Sequence, residues 1–414
     1  MRGVIWLLLL AGVAALAAAL LGGNDNVVTV YWAPWRFDLS LNFFILLLVL
    51  TLVAGNVLLQ GINSLIGLPR RAREWRVARR DRSAQAALRE SLAHYFGGRY
   101  SRAQKAAQRA VAIQAETPEL VADKEFTALG HLLAAGSLHR LQDRNRRDEQ
   151  LERALSIAQI AGARAAEEGA QLLAAEWALD DRNAPRTLEL LAQLPPGVAR
   201  RTQALRLKLQ AARLSQQPME ALRTARLLAK HQAFSAAAAQ GLLRSLAGEA
   251  IDGTRDVDQL KRLWREFDAA DRRDVIVAAR AAQHLVELGV PEDARAWLRP
   301  FWDRLGELAP DERRAVALTL ARALEGLGAE WLPRLEAALV AYPNDATISY
   351  AVGRAFAMRE LWGKARQLLE PAAASTSLDI AARREAWLLL AAMAERDDDT
   401  ERAGQAFRHA AALA

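Results

Sequence analysis

Two apolar stretches near the start of the chain are each long enough to cross a membrane. The first covers residues 4–21, and the second covers 39–68, where four amide side chains but no charge interrupt it. A membrane-spanning helix needs about 20 mostly apolar residues. We therefore predict two transmembrane helices, at about 4–22 and 39–66, joined by a loop at 23–38 in a hairpin that fills residues 1–68. Buried core helices are the alternative, and for the first stretch a cleaved signal peptide is another.

The charges that flank these stretches predict their orientation. Arg2 precedes the first stretch, seven arginines follow the second within 69–82, and Arg36 is the only basic residue of the intervening loop. Cationic flanks stay on the cytoplasmic side of a membrane. We therefore predict that the N-terminus and the chain beyond residue 68 lie in the cytoplasm, whereas the loop lies on the opposite side.

The segment at 69–82 and the aromatic loop are predicted to lie at the two membrane surfaces. Tryptophan is enriched there, and each arginine near anionic headgroups contributes about 1 kcal/mol. The predicted interface residues are Arg70, Arg71, Arg73, Arg76, Arg79, Arg80, Trp32 and Trp35. A lipid-specific or partner-binding patch is an alternative interpretation of the arginines. Because most of the net charge of +7 comes from this segment, a nucleic-acid-binding face is not expected.

Beyond residue 82 the chain reads as helix pairs with a period close to that of tetratricopeptide repeats, about 34 residues. Alanine and leucine dominate, and both favour helices. Small residues recur where paired helices cross, because a larger side chain would push them apart. The residues predicted to pack the repeats are Gly98, Tyr100, Ala103, Gly353, Phe356, Trp362, Ala365, Trp387, Ala403 and Phe407. We predict an all-α fold with a tetratricopeptide-like α-solenoid at 83–414.

Weaker copies of the repeat are placed by one small or apolar residue of each second helix. These residues recur every 34 to 39 positions and are Thr187, Ala221, Leu260, Ala294 and Trp331. The spacing predicts eight or nine helix pairs, whose stacking buries a common core and leaves a groove for partner proteins or peptides. An irregular helical bundle is the alternative.

Catalytic and metal-binding patterns are missing from the sequence. There is no cysteine, which excludes disulfides and thiolate metal sites. Phosphate-binding glycine loops, the nucleophile elbow and the H-E-x-x-H pair are also absent. We therefore predict a protein that is not an enzyme and has no catalytic, cofactor-binding or metal-binding residues.

Three weaker signals have a structural and a functional interpretation. His131 and His139 lie two helical turns apart and are compatible with a metal or haem site, although ordinary packing is the simpler interpretation. The run Asp397–Asp399 resembles part of a calcium loop but also fits a solvated turn. Arg146 and Arg147 are candidates for contact with an anion such as a tetrapyrrole carboxylate.

The order of these features resembles one family. A short apolar helix, an aromatic loop, a second apolar helix and an arginine-rich exit are followed by Arg-Arg-Asp at 146–148 and by Leu-Trp-Gly-Lys-Ala-Arg at 361–366. Over essentially its whole length, the chain resembles the HemY family of proteobacterial inner-membrane proteins. The resemblance implies a role in protohaem formation and brings no catalytic residues with it. An unrelated flavin-dependent oxidase shares that name, but the flavin-binding glycine pattern is absent here.

Two hypotheses follow. In the first, a scaffold in the bacterial inner membrane uses its groove to gather enzymes of tetrapyrrole biosynthesis. In the second, a carrier binds porphyrin or haem, as its only expected ligand, through the groove and its arginines. The expected partners are the lipid bilayer and proteins.

Overall fold

The computed structural model describes residues 26–413 along with Val13, so the transmembrane helix predicted at about 4–22 otherwise lies outside the described residues. The described chain begins with an antiparallel β-hairpin of strands β1 (Val27–Trp32) and β2 (Trp35–Ser40). The loop predicted at 23–38 is therefore mostly strand. The reason is local, because β-branched and aromatic residues favour a pleated conformation.

One uninterrupted helix, α1 (Leu41–Phe96), follows the hairpin directly. Ser40 caps it by accepting a hydrogen bond from the Phe43 backbone N–H at 3.4 Å. At about 1.5 Å per residue its 56 residues extend roughly 80 Å. The limits predicted at 66, 68 and 82 all lie inside α1, so the second apolar stretch, the basic segment and the first repeat helix are one element.

Within the described part of the chain, one helix is long and apolar enough to cross a membrane. This segment is Leu41–Gln60, the first 20 residues of α1. A hairpin of two membrane-spanning helices is therefore not established.

The rest of the described chain is helical, and the chain divides into two compact units at Glu167/Glu168, the first of which includes the β-hairpin and α1. Besides α1, the helices of the first unit are α2 (Tyr100–Ala115), α3 (Lys124–Arg140) and α4 (Arg144–Ala161). The division falls within α5 (Arg164–Asp180), and the helices beyond it are α6 (Ala184–Ala192), α7 (Pro196–Ala199), α8 (Thr202–Leu214), α9 (Pro218–Lys230), α10 (Ala236–Asp252), α11 (Val257–Glu266), α12 (Ala269–Arg273), α13 (Val275–Glu287), α14 (Pro291–Trp302), α15 (Pro310–Arg322), α16 (Leu332–Ala341), α17 (Ala346–Met358), α18 (Trp362–Ala374), α19 (Ile380–Arg396) and α20 (Thr400–Ala411).

Between residues 83 and 413 these helices form nine pairs, in agreement with the eight or nine predicted. In the first unit α2 packs on the end of α1, and α4 packs on α3. In the second unit the first helices of successive pairs touch in the order α10, α13, α15, α17 and α19. This sequential contact is typical of helical repeats, in which each pair is stabilised mainly by its neighbours.

The turn inside most pairs contains one residue with a positive φ, two positions before the second helix begins. It is glycine in two pairs (Gly98 and Gly289) and another residue in five (Gln142, Arg182, Gln216, Glu360 and Asp398). In the pair formed by α15 and α16, the positive-φ residue is Gly326, which lies further from the second helix. Gly98, with φ of 71°, is therefore a turn residue rather than a packing residue as predicted. Glycine suits this position because it adopts positive φ without a Cβ clash.

Candidate functional site

The arginines predicted at the membrane interface lie on α1, beginning ten residues beyond the apolar segment. All six, Arg70, Arg71, Arg73, Arg76, Arg79 and Arg80, are exposed. Arg70 forms an ion pair with Glu74 at 3.0 Å, and Arg79 lies over the Trp75 ring at 5.4 Å. Arg80 donates to the Thr117 hydroxyl at 3.2 Å, which connects this segment to the end of α2. The stretch is therefore a strongly basic, largely solvated length of helix.

The predicted packing residues occupy three kinds of environment. Ala103, Phe356, Ala365 and Ala403 are buried, as is Gly353. A Cβ on Gly353 would lie 2.9 Å from Leu369 Cγ, which explains why glycine stands where α17 and α18 cross. Half-buried positions are held by Tyr100, Trp362 and Trp387. Phe407 is 42% exposed, so its assignment to the core was wrong, because it faces outward from the last pair.

The two arginines proposed for anion binding do not form a common site. Arg147 is buried, donates to Asp148 at 2.8 Å, and has one guanidinium nitrogen 3.2 Å from His139 Nδ1. Arg146 bonds Asp143, the N-cap of α4, at 2.6 Å. Arg147 therefore stabilises the repeat from within, and both guanidinium groups already contact carboxylates.

The two histidines and the aspartate run make contacts within the repeat helices and turns. His131 Nδ1 lies 2.8 Å from Gln150 Oε1, whereas His139 contacts Arg147, so the two rings have different partners. Asp399 caps α20 by accepting from the Arg402 N–H at 3.1 Å, and Asp398 has φ of 56° in the turn. Among the described residues no cluster of three His, Asp or Glu side chains is arranged to hold a metal ion.

The second unit contains a groove of about 1090 Å³. The C-terminal ends of α5, α8 and α10 line it, with side chains that include Leu179, Gln210, Arg213, Leu214, Glu249 and Asp252. Leu214 is 58% exposed there and supplies an apolar contact among polar neighbours. The lining combines hydrogen-bonding and charged groups with one accessible leucine, a composition suited to a polypeptide.

Polar contacts between first helices of successive pairs continue along this side of the second unit. Arg213 lies 3.6 Å from Glu249, and Arg280 pairs with Asp252 at 2.8 Å. The hydrogen bond with Asp252 raises the pKa of Arg280. These contacts were not predicted, because partners 28 and 36 residues apart become recognisable only once the pairs are in register.

A second feature missed in the sequence is the buried Arg295 on α14. Its guanidinium group donates to the backbone oxygens of Ala323, Glu325 and Gly326 at 2.6, 2.5 and 3.1 Å. Burial lowers its pKa. The side chain satisfies backbone acceptors that follow the end of α15, a role normally held by a local C-cap.

These observations define a helical-repeat protein whose first repeat helix continues from a segment able to cross a membrane. Residues 27–123 match the family model described as the HemY protein N-terminus. That range starts at the first residue of β1 and ends at Asp123, the N-cap of α3. The N-terminal part of the described chain is therefore similar to the HemY family, in agreement with the resemblance.

Three of the solved structures that align with this chain do so with low TM-scores. They are the APC/C hetero-tetramer Cut9-Hcn1 (12% identity, 80% of this chain and 66% of that chain, TM-score 0.28), Naa15/Naa10 bound to HypK-THB (14%, 79% and 58%, 0.24) and the P58(IPK) TPR domain (10%, 80% and 98%, 0.22). The chain spans less than two thirds of the first two. No curated protein matched it.

Proposed function

We propose that this protein is a non-catalytic scaffold, anchored in the bacterial inner membrane, whose repeat surface binds proteins of haem biosynthesis. The observation that carries the proposal is the continuity of α1. One helix contains both the apolar segment Leu41–Gln60 and the first helix of the repeat array. A partner bound to the repeat array is thereby tethered to the membrane through α1.

The orientation we propose places the N-terminus and the repeats in the cytoplasm, with a second membrane-spanning helix at about 4–22. Its support is the charge distribution, since seven arginines follow the apolar part of α1 and Arg36 is the only basic residue at 23–38. Positive charge of this kind is retained on the cytoplasmic side.

The mechanism we propose is an increase in effective concentration. Partners held on one repeat surface meet at local concentrations in the millimolar range when short tethers join them. The assignment to haem biosynthesis rests on the HemY family, and the assignment of proteins as partners rests on the mixed lining of the groove.

A charge reversal in the groove tests both parts of the proposal. Arg213 and Arg223 are matched, since each is about half exposed (51% and 57%) and each lies 3.6 Å from a glutamate. Arg213 lines the groove, whereas Arg223 lies on α9 outside the groove lining. We would capture tagged full-length protein, Arg213→Glu and Arg223→Glu from gently solubilised membranes and identify co-purifying enzymes by mass spectrometry.

We expect tetrapyrrole-synthesis enzymes with the wild type and with Arg223→Glu, and their loss with Arg213→Glu. Equal capture by both variants would exclude the groove as the binding surface. Absence of these enzymes from the wild-type sample would contradict the role in haem biosynthesis.

The porphyrin carrier is the competing proposal. Porphyrin-sized ligands bind mainly apolar pockets with a few placed polar groups, whereas charged and amide side chains predominate in the groove. The scaffold is therefore the better supported of the two. Titration with protoporphyrin or haem separates them, because a carrier gives a Soret shift at micromolar ligand and a scaffold leaves the spectrum unchanged.

A further inference from the structure

The β-hairpin at the start of the described chain has two chemically different faces. Its register pairs Trp32 with Trp35, Val30 with Phe37 and Val28 with Leu39. Directly paired residues point to the same side of a hairpin, and alternate residues share a face. These six residues, Val28, Val30, Trp32, Trp35, Phe37 and Leu39, therefore form one continuous apolar face.

The opposite face contains Val27 and Tyr31 together with the polar residues Thr29, Arg36, Asp38 and Ser40, and its two charged groups are paired with each other. The Thr29 hydroxyl donates to Asp38 at 2.6 Å, and Arg36 donates to the same carboxylate at 3.1 Å. The Thr29 hydrogen bond, together with Arg36, holds the pKa of Asp38 below its usual value. Arg36 also lies 5.7 Å from the Tyr31 ring centroid. This face presents neutralised charges that suit contact with water.

The apolar face is accessible despite its size. Trp32, Trp35 and Phe37 are 75%, 67% and 53% exposed. A two-stranded hairpin is at best marginally stable alone in water and normally packs its apolar face on something else. Moving apolar side chains of this size out of water is favourable by a few kcal/mol each. We therefore expect the face to be covered.

The position of the hairpin identifies that cover. Its last residue, Ser40, is the N-cap of α1, and the next 20 residues form the apolar segment Leu41–Gln60. A bilayer that contains this segment has one boundary near residue 41. Each six-residue strand reaches about 20 Å from that boundary, so the whole hairpin lies within reach of the headgroup region.

We propose that the hairpin lies on the lipid bilayer, with its apolar face in the lipid–water interface and its Thr29–Asp38 face in water. Tryptophan favours this environment because its ring is apolar and its indole N–H is polar. The inference rests on the proposed membrane anchoring of α1. It adds a second, surface-lying contact on the side of the membrane away from the repeats.

Because the sequence contains no cysteine, single-cysteine variants of the full chain carry one spin label each. Val30→Cys and Phe37→Cys report the apolar face, whereas Val27→Cys and Tyr31→Cys report the polar face. Leu50→Cys reports the apolar segment of α1. In lipid nanodiscs, we would measure label accessibility to oxygen, which partitions into lipid, and to a water-soluble nickel chelate.

We expect the oxygen-to-nickel ratio to rise at residues 30 and 37 towards that at residue 50, and to stay low at 27 and 31. Equal ratios on the two faces, with residue 50 still in lipid, would overturn the hairpin contact and leave the membrane anchor intact. A low ratio at residue 50 would overturn the anchor itself, and with it the hairpin contact.

A third outcome also contradicts the proposal. If labels at 30 and 37 are immobilised and shielded from both reagents, protein rather than lipid covers the face, either a second copy or the segment at 4–22. Valine-to-cysteine changes at neighbouring positions 27 and 28, which lie on opposite faces, provide an independent pair should Phe37→Cys disturb the hairpin.

Discussion

At the scale of single residues, two glycines of the second unit make opposite demands on the backbone. Gly289 has φ of 80° in the turn before α14, whereas Gly241 lies exposed within α10. Among the described residues, a Cβ on either would meet nothing within 4 Å, so substitution by alanine reports the backbone alone.

We therefore expect Gly289→Ala to lower the free energy of unfolding by about 1 kcal/mol, because a left-handed conformation strains any residue with a Cβ. Gly241→Ala should raise it by about 0.5 kcal/mol, because alanine favours the helix. Urea unfolding followed by circular dichroism measures both, and the two midpoints should shift in opposite directions. A shift in the same direction would mean that the turn at Gly289 relaxes.

A substitution at Arg295 measures how much stability one side chain contributes when it takes the place of a local helix C-cap. Arg295→Ala would leave three backbone oxygens without their donor, so we expect a loss of about 3 kcal/mol in unfolding free energy. Arg299→Ala is the control on the same helix, since its side chain is 56% exposed and lies 3.8 Å from Asp303. A change within about 0.5 kcal/mol is expected for the control. Equal effects of the two changes would show that the three hydrogen bonds add little stability.

Sequence periodicity placed the repeat residues better than it placed the charged ones. Thr187, Ala221 and Leu260 were placed as the small or apolar residue of each second helix, and all three are fully buried on second helices. Arg147 and Arg295 look like solvated residues in the sequence but are buried. Arg147 contacts His139 on the preceding helix, and Arg295 donates to backbone oxygens beyond α15, so spacing along one helix carries no sign of these contacts.

At the scale of secondary-structure elements, the second helices of two neighbouring pairs are joined by a ring stack. Trp264 on α11 and Trp297 on α14 have ring centroids 4.6 Å apart, with 15° between their planes. Such a stack contributes about 1 kcal/mol beyond the area it buries.

A double-mutant cycle with Trp264→Ala and Trp297→Ala should therefore give a coupling energy of about 1 kcal/mol, measured as changes in unfolding free energy. Trp264 with Trp362 is a suitable uncoupled pair, because those residues lie on α11 and α18, which belong to helix pairs that are not neighbours. A coupling near zero for the stacked pair would mean that each ring packs on its own helix and that the stack does not hold the repeats together.

The boundaries of helices were the part of the fold that the sequence predicted least well. The change from apolar to basic residues near residue 69 suggested a boundary, yet α1 continues through it to Phe96. Helix formation depends on backbone hydrogen bonds that both compositions support, and arginine is nearly as good a helix former as leucine. Composition therefore marked a change of environment rather than the end of an element.

At the scale of the whole molecule, the excess positive charge is concentrated on one part of α1. Seven arginines stand against Glu74 and Asp81 at 70–82, in a chain of net charge +7. Elsewhere arginines are often paired across repeats, as in Arg244 with Asp274 and Glu312, both at 2.8 Å. The unbalanced group is therefore suited to setting membrane orientation rather than to holding the repeats together.

Neutralising that group should change the orientation of the chain. With Arg70, Arg71, Arg73 and Arg76 replaced by glutamine, we expect a mixed orientation, because fewer positive charges hold this flank in the cytoplasm. Ser101→Cys, exposed on α2, supplies the only thiol and is probed with a membrane-impermeant maleimide in intact spheroplasts.

With the arginine flank unchanged, the thiol at position 101 should stay unlabelled until the spheroplasts are lysed. With the flank neutralised, a fraction of the protein should be labelled in intact spheroplasts. Replacing four exposed arginines of the second unit, Arg262, Arg265, Arg272 and Arg273, with glutamine removes the same charge and should leave the thiol protected. Labelling without any arginine change would contradict a cytoplasmic repeat domain. Full protection of the neutralised variant would mean that a different feature fixes the topology, because orientation then persists without the positive flank.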